Sequence, residues 1–311
     1  MDNKMLPLVS IGMPTFNRAD GYLKEAIQCA VNQTYPNLEI IISDNCSADN
    51  TAELVAGFSD PRIQYHQQTS NIGAINNYNY ILKQSKGEYF LMLHSDDTID
   101  SDHIESCIRA LGDKSEVGII CTGVRVIDQN GKTIAERPNQ TAGLSFSDYV
   151  LHWFENKIAI YMCNTLYNTK KLKEIGGFSS PKNLYPDTLA LFYLLAEMGS
   201  AAVHDVKAGF RMHSGNTGTA VKVADWCDDS LYLLKVICDL APDRKETLRE
   251  KGMRYFCRQN YGIAATMVPP SRLFWAYTIV AKKFKFSYSP LQYALEKDIK
   301  PRLRKMKKRI F

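Results

Sequence analysis

Glu88-Tyr89-Phe90-Leu91-Met92-Leu93-His94-Ser95-Asp96-Asp97 is the stretch that decides the fold, an apolar run of strand length that stops at two adjacent carboxylates. Such a run, rich in aromatic and aliphatic residues, predicts a buried central strand. Acids just past the C-terminal end of a strand lie where open α/β sheets bind ligands. Carboxylates side by side repel unless a cation or a protonation shift relieves them. A hard divalent ion, held by one or two carboxylates and by substrate phosphates, is the usual relief. The competing reading of this segment alone is an acidic turn that caps a helix starting near Asp102.

Upstream, strands and helices alternate. Leu8-Val9-Ser10-Ile11-Gly12-Met13 predicts a first strand that Pro14 cuts off, because proline cannot continue a central ladder. The loop Thr15-Phe16-Asn17-Arg18-Ala19-Asp20-Gly21 follows. Leu23, Ile27, Ala30 and Val31 then recur at helical spacing, an amphipathic helix ending near Gln33. Leu38-Glu39-Ile40-Ile41-Ile42-Ser43 predicts a second strand, closed by Asp44-Asn45-Cys46-Ser47-Ala48-Asp49. Ser47 or Asp49 can cap a helix over 50–58. A third strand is expected over 62–66, and Asn71-Ile72-Gly73 opens a helix with Ile75, Tyr78 and Leu82 inward. This alternation implies parallel βαβ units and an open sheet covered on both faces. Three strand ends then converge on one edge: Pro14-Thr15-Phe16, Asp44-Asn45 and Asp96-Asp97. No GxGxxG exists, and Val126 stands where a P-loop ending in Gly131-Lys132-Thr133 would need its first glycine.

The half after Asp97 reads differently. A helix over about 102–111 leads to a strand over 117–127, and Asp128-Gln129-Asn130-Gly131 predicts a hairpin returning through Thr133-Ile134-Ala135. Residues 136–145, with Pro138 and Gly143, are expected to form a mobile loop over the site. Segments over 146–154, 160–166 and 172–175 follow, the last ending in Gly176-Gly177-Phe178. Tyr185-Pro186-Asp187 precedes a helix-length segment over 188–198. Val203-His204-Asp205-Val206 and 209–213 predict an edge strand reaching the turn Ser214-Gly215-Asn216, and from Asp225 onward only helices are expected.

At 311 residues the chain is long enough for one large domain or one with a smaller appendage. Eight cysteines are scattered without CxxC or Cys/His metal spacing, which predicts reduced, buried thiols in a cytosol-like compartment. No signal peptide or membrane-spanning run is read. The net charge of +5 hides an asymmetry: residues 281–311 hold eleven Lys/Arg against Glu296 and Asp298, a local +9 that leaves −4 for the rest. An acidic body with a basic tail excludes a nucleic-acid-binding domain and suits a tail that meets an anionic surface.

Taken in order and spacing, several motifs resemble the family 2 glycosyltransferases over roughly residues 7–216. They are Val9-Ser10-Ile11-Gly12-Met13-Pro14-Thr15-Phe16-Asn17-Arg18, the run from Gln33 to Thr51, Asn71-Ile72-Gly73, Lys86-Gly87-Glu88-Tyr89 with Asp96-Asp97, Gly176-Gly177-Phe178, and Arg211-Met212-His213-Ser214-Gly215-Asn216. The resemblance implies a GT-A fold, an open, mostly parallel Rossmann-like α/β sheet flanked by helices. It also implies an inverting enzyme using a nucleotide-diphosphate sugar. Laid on this chain, it has Phe16 stacking on the base, Pro14 and Thr15 shaping the wall, and Asp44 or Asn45 reading the base edge. Many members carry Asp where this chain has Asn45; uridine is the first expectation, and the amide leaves the base open. Asn71, Arg18 and Arg211 are implied donor contacts, the arginines toward the diphosphate. Asp96 lies toward the ribose, while Asp97 and His213 ligate Mn²⁺ or Mg²⁺. Asp187 takes the place of the base that accepts the acceptor hydroxyl's proton. Many members have Glu-Asp there, whereas this chain has Pro186-Asp187. Asp187 can equally cap the following helix.

No Gln-x-x-Arg-Trp and no spanning helices are read, so the resemblance implies a single-addition rather than a processive enzyme. The expected organisation is a catalytic domain over 1–220, with a nucleotide-sugar half over about 1–100 and an acceptor half over about 101–220. A helical extension with a basic tail occupies 221–311. In that extension, Leu273-Phe274-Trp275-Ala276-Tyr277-Thr278-Ile279-Val280 beside Lys282, Lys283 and Lys285 reads either as a membrane-interfacial helix or as a packed helix or oligomer contact. The expected partners are the sugar donor, a saccharide or lipid-linked acceptor of bacterial surface-polysaccharide assembly, and peripherally the inner face of the cell membrane. Homo-oligomerisation stays open. The rival functions are a nucleotidyltransferase on a related sheet, and a non-catalytic sugar-nucleotide-binding or membrane-docking module.

Overall fold

The computed structural model describes residues 6–112, 116–213 and 222–299. The turn expected at Ser214-Gly215-Asn216 and the end of the basic tail lie outside the described residues. The chain divides into two compact units, residues 1–179 with 186–216 and residues 180–185 with 217–311.

In the first unit the elements run β1 (Val9–Thr15), α1 (Leu23–Val31), β2 (Leu38–Asp44), α2 (Thr51–Ala56), β3 (Ile63–Gln67), α3 (Ala74–Gln84), β4 (Tyr89–Met92), β5 (Thr98–Ile99) and α4 (His103–Arg109). They continue through β6 (Ile119–Ile127), β7 (Thr133–Arg137), α5 (Phe146–Phe154), β8 (Thr165–Asn168), α6 (Thr169–Glu174), α7 (Pro186–Met198) and β9 (Ser200–Arg211). Among the described residues these nine strands form one sheet in the order β3-β2-β1-β4-β8-β6-β9-β5, with β7 also paired to β6. β3, β2, β1 and β4 are mutually parallel. β8 then runs antiparallel to both β4 and β6. Chain order reverses beside β1, since β2 lies on one side of it and β4 on the other. That crevice beyond the strand C-termini is where such sheets take ligands.

The apolar run read from the sequence is a core strand: Phe90, Leu91, Met92 and Leu93 are fully buried. Burial of each such side chain favours the fold by about 1.5–3 kcal/mol. Gly12 on β1 lets β4 and α3 close on it, because a Cβ there would sit 2.5 Å from Ile81 and 2.7 Å from Phe90. β1 itself outlasts the expected stop and runs through Pro14 to Thr15. Pairing with β4 ends at Gly12↔Met92, whereas pairing with β2 continues to Thr15↔Asp44. Pro14 therefore sits where the strand has become an edge, the position that tolerates a missing N–H.

One expectation in the second half is corrected. Residues 203–213 are not an edge strand. One strand, β9, runs between β6 and β5, parallel to the first and antiparallel to the second. Its exposed His204 and Asp205 come from a bulge, where pairing jumps from Cys121↔Ala202 to Gly123↔Val206. Within the stretch 136–145, Asn139 lies against that bulge: its N donates to His204 O at 2.9 Å, and its side chain donates to Cys121 O at 2.7 Å.

The second unit is helical: α8 (Val223–Leu240), α9 (Lys245–Met267), α10 (Leu273–Lys283) and α11 (Pro290–Ala294). Among the described residues no helix is long and apolar enough to cross a membrane.

Candidate active site

The site lies beyond the C-terminal ends of β1, β2 and β4. On the β1–β2 side the polar groups are largely satisfied by the protein. Asp44 is fully buried; its Oδ1 accepts from Ser47 N at 2.8 Å and Ser47 Oγ at 2.5 Å, and its Oδ2 accepts from Tyr65 Oη at 2.7 Å. Asn45 N donates to Thr15 O at 2.9 Å, Asn45 Nδ2 to Asn71 Oδ1 at 2.9 Å, and Asn45 Oδ1 accepts from Ile72 N at 2.9 Å. The loop after β1 is stitched to the loop after β2. Asn17 N donates to Ser47 Oγ at 2.8 Å, Ala48 N to Asn17 Oδ1 at 2.9 Å, and Ala19 N to Asp49 Oδ2 at 2.9 Å. Arg18 joins them through its backbone, donating to Thr51 Oγ1 at 3.3 Å. On this scaffold Phe16 stands 41% exposed, a free aromatic face next to Asp44 and Asn45. The Thr15 hydroxyl is buried without a partner among the described residues.

Past β4 the polar groups oppose one another instead. His94, Asp96 and Asp97 each place a ligand atom within 4.8 Å of the others. Asp97 is 2% exposed, and its carboxyl is pushed up to about 8, first by burial and then by the charge of Asp96. Burial holds the His94 imidazole below its usual range, against the charges of Asp96 and Asp187. His94 Nε2 is buried without a partner among the described residues. A neutral imidazole and two crowded carboxylates are a donor set that fits a divalent cation such as Mn²⁺ or Mg²⁺. His213, the other expected ligand, places Nε2 2.9 Å from Asp96 Oδ2 and so shares that carboxylate.

What aims the two acids is β9. β5 is two residues long, too short to read from sequence, yet it pairs Thr98 with Gly209 at a contact only glycine permits: a Cβ there would lie 2.4 Å from Thr98 Oγ1. That pairing brings Arg211 N to Asp97 Oδ1 at 3.0 Å and Arg211 Nε to Asp96 O at 2.8 Å. The Arg211 guanidinium, 2% exposed, continues to Asp128 O at 3.3 Å and to Glu25 Oε2 at 2.6 Å. It also lies over the Tyr22 ring at 4.2 Å, and the same ring is 5.3 Å from that of His213. Arg211, expected from the sequence as a diphosphate contact, is enclosed by these partners and touches both acids of the pair.

Asp187 occupies the first turn of α7, with its Oδ1 3.4 Å from Thr188 Oγ1. Burial raises its carboxyl; backbone N–H groups and the His94 charge oppose that rise. The segment leading to α7 is fixed by Asn79 on α3, which donates to Phe178 O at 2.9 Å and accepts from Phe178 N at 2.8 Å. Gly177 has φ +79° and passes so close to Asn79 that a Cβ would meet its Oδ1 at 2.4 Å. Gly176-Gly177-Phe178 thus fastens the segment after α6 to α3.

Two neighbours escaped the sequence reading. Tyr78, expected as a core residue of α3, has its ring 5.2 Å from that of His94 and tilted 37° to it, and burial with the charges of Asp187, Asp96 and Asp97 raises its phenol. His94 itself sits at the end of an apolar run, where a candidate ligand is easily read as part of the strand. The proximity of a histidine to a terminal acid pair was the one available signal.

The family model described as Glycosyl transferase family 2 matches residues 10–176. An uncharacterized glycosyltransferase of Rickettsia typhi is 31% identical over 218 residues, 69% of this chain and 67% of that protein. Other relatives are longer, and the chain spans 29% of one of them. Among solved structures, S. aureus TarS 1–349 in complex with UDP-GlcNAc superposes with a TM-score of 0.67 at 16% identity, over 91% of this chain and 82% of that one. The mannosyltransferase PcManGT of Pyrobaculum calidifontis, in complex with GDP-Man and Mn²⁺, gives 0.58 at 17% identity, over 94% and 79%. These likenesses show the GT-A architecture, with helices following the sheet.

Proposed function

The chain belongs to glycosyl transferase family 2, and from that premise we propose that it is a metal-dependent, inverting glycosyltransferase that adds one sugar at a time. Its donor is a nucleotide-diphosphate sugar, UDP-linked in the first instance, and its acceptor a saccharide or lipid-linked saccharide of bacterial polysaccharide assembly. A lipid-linked acceptor would bring the enzyme to the inner face of the cell membrane. In this reading residues 1–220 carry the transfer, and the helices after them are an extension.

The observation that carries the proposal is the electrostatic convergence of His94, Asp96, Asp97 and Asp187 beside the β1–β4 crevice. Phe16 stacks the base, while Asp44, Asn45 and Asn71 hold the loop that borders it and present its edge. Pro14 and Thr15 form the wall behind, Arg18 meets the diphosphate, and Asp96 faces the ribose. His94, Asp97 and His213 would hold the divalent ion, which when bound offsets the charge that grows on the departing nucleoside diphosphate. Asp187 takes the proton of the acceptor hydroxyl on a carboxylate oxygen as that hydroxyl attacks C1 from the face opposite the leaving group. Its raised affinity for protons makes it a better base than a solvated aspartate, provided it is ionised at the working pH. UDP-GlcNAc and GDP-Man in the two structural neighbours support a nucleotide-sugar donor, and Mn²⁺ in one supports the cation.

The test is a thermal-shift screen of nucleotide sugars with and without Mn²⁺, followed by a transfer assay with the stabilising donor. Stabilisation by a UDP-sugar that requires Mn²⁺ is expected. A chain indifferent to every nucleotide, with or without the cation, would sink the proposal.

A further inference from the structure

The second unit presents an apolar surface well away from any catalytic chemistry of its own. Of the eleven large hydrophobic side chains exposed among the described residues, six lie between 274 and 295: Phe274, Trp275, Ile279, Phe286, Leu291 and Leu295. On α10, Ala276 and Val280 face inward and are buried, whereas Phe274 is 74% exposed and Trp275 69%. At 3.6 residues per turn, Phe274, Trp275, Ile279 and Lys282 fall on one stripe opposite that buried face. The helix is therefore apolar on both sides, with its outer side left to solvent. Just after it, Lys285 and Phe286 hold φ of +51° and +56°, strained values for bulky residues, and both side chains point outward. Beside α10 lies a hollow of about 400 Å³ lined by Val223, Met267, Val268 and Ile279, with Arg272 at its edge.

We propose that this face docks onto an anionic phospholipid bilayer, with Phe274, Trp275, Ile279 and Phe286 entering the headgroup–acyl boundary and Arg272, Lys282 and Lys285 meeting lipid phosphates. Aromatic rings flanked by long cationic side chains suit that boundary, where one end of a side chain is wet and the other apolar. Charge selects the occupant. Residues 281–311 carry eleven Lys/Arg and two acids. An anionic surface attracts such a segment, whereas a second copy of the chain meeting it through the same face would bring an equal positive charge against it. α10 is eleven residues long, so it lies in the interface rather than spanning it. This docking stands independently of which sugar is moved.

Vesicle flotation with the full chain tests it, comparing phosphatidylcholine alone with phosphatidylcholine–phosphatidylglycerol mixtures. Binding is expected to need phosphatidylglycerol, to weaken in high salt, and to fall roughly tenfold in the Phe274→Ser/Trp275→Ser double variant. Lys282→Gln/Lys285→Gln should weaken it several-fold with no change in thermal midpoint, which separates lost docking from lost folding. Equal flotation of the wild type and the double variant would overturn the proposal. So would a concentration-dependent dimer of the wild type that the double variant abolishes, because the face would then be a self-contact.

Discussion

The two flanks of the crevice are built on opposite principles. After β2, every oxygen of Asp44 accepts from a protein donor, and Asn45 is tied at its backbone and at both ends of its amide. After β4, Asp97 is buried against Asp96, and His94 keeps a nitrogen without a partner among the described residues. A saturated flank is already rigid and offers shape, so it suits a flat, neutral base. A frustrated flank is relieved by a proton on a crowded acid, so it suits a ligand that brings a cation in the proton's place. The difference explains why residues of the same type, Asp44 and Asp97, have different expected roles.

The largest test of that contrast is Asp187→Asn. Turnover should fall about 10²–10⁴-fold, the usual contribution of a positioned base, while nucleotide affinity by calorimetry stays within about twofold. A matching loss of affinity would place Asp187 in the donor site and blur the two flanks. Next comes the pH dependence of the cation-free protein. The Asp97 carboxyl titrates near 8 when folded and near 3.8 as an ordinary carboxylate, so between those values the folded state holds a proton that the unfolded state releases. That stabilisation is complete below the lower value and lost as pH rises through the upper one. In EDTA the thermal midpoint should therefore drop by several degrees between about pH 6 and 9, and Mn²⁺ should remove most of the drop. A flat profile in EDTA would mean that Asp97 is not frustrated.

The saturated flank gives smaller effects. Asp44→Asn turns an amide N–H toward donors that now face a carboxylate, and a denaturant titration should show a loss of about 1–3 kcal/mol. An unchanged midpoint would mean that those bonds carry nothing. Phe16→Ala should lower nucleotide affinity several-fold with thermal stability unaltered, because an exposed ring contributes stacking but little core. If stability fell instead, the ring would belong to the fold rather than to the site.

Much of the sheet was legible because strands buried on both faces write themselves as apolar runs; β1, β2 and β4 are of this kind. β5 was not, since two residues leave no periodicity, and its existence depends on a glycine more than a hundred positions away. β9 was misplaced because its bulge exposes His204 and Asp205, and exposed polar residues imitate an edge. The acid pair could be picked out from its place after a strand, whereas Asp187 was singled out only through the family resemblance. Tyr78 could not, because a helix face turned toward a pocket and one turned toward a core have the same spacing. Arg211 was noticed for its charge, yet its partners come from two distant segments, Tyr22 and Glu25 at the start of α1 and Asp128 after β6. Only the folded chain puts them together.

The clamp from β9 onto the acid pair also has a consequence in time. Arg211 follows Asp97 by 114 residues, so a ribosome making about 5–20 residues per second completes the acids many seconds before their fastener. During that interval the nascent chain holds both carboxylates with nothing to aim them. A product truncated ahead of residue 200 would therefore have the full acidic motif and the β1–β2 flank, and lack the Arg211 contacts to Asp96 and Asp97.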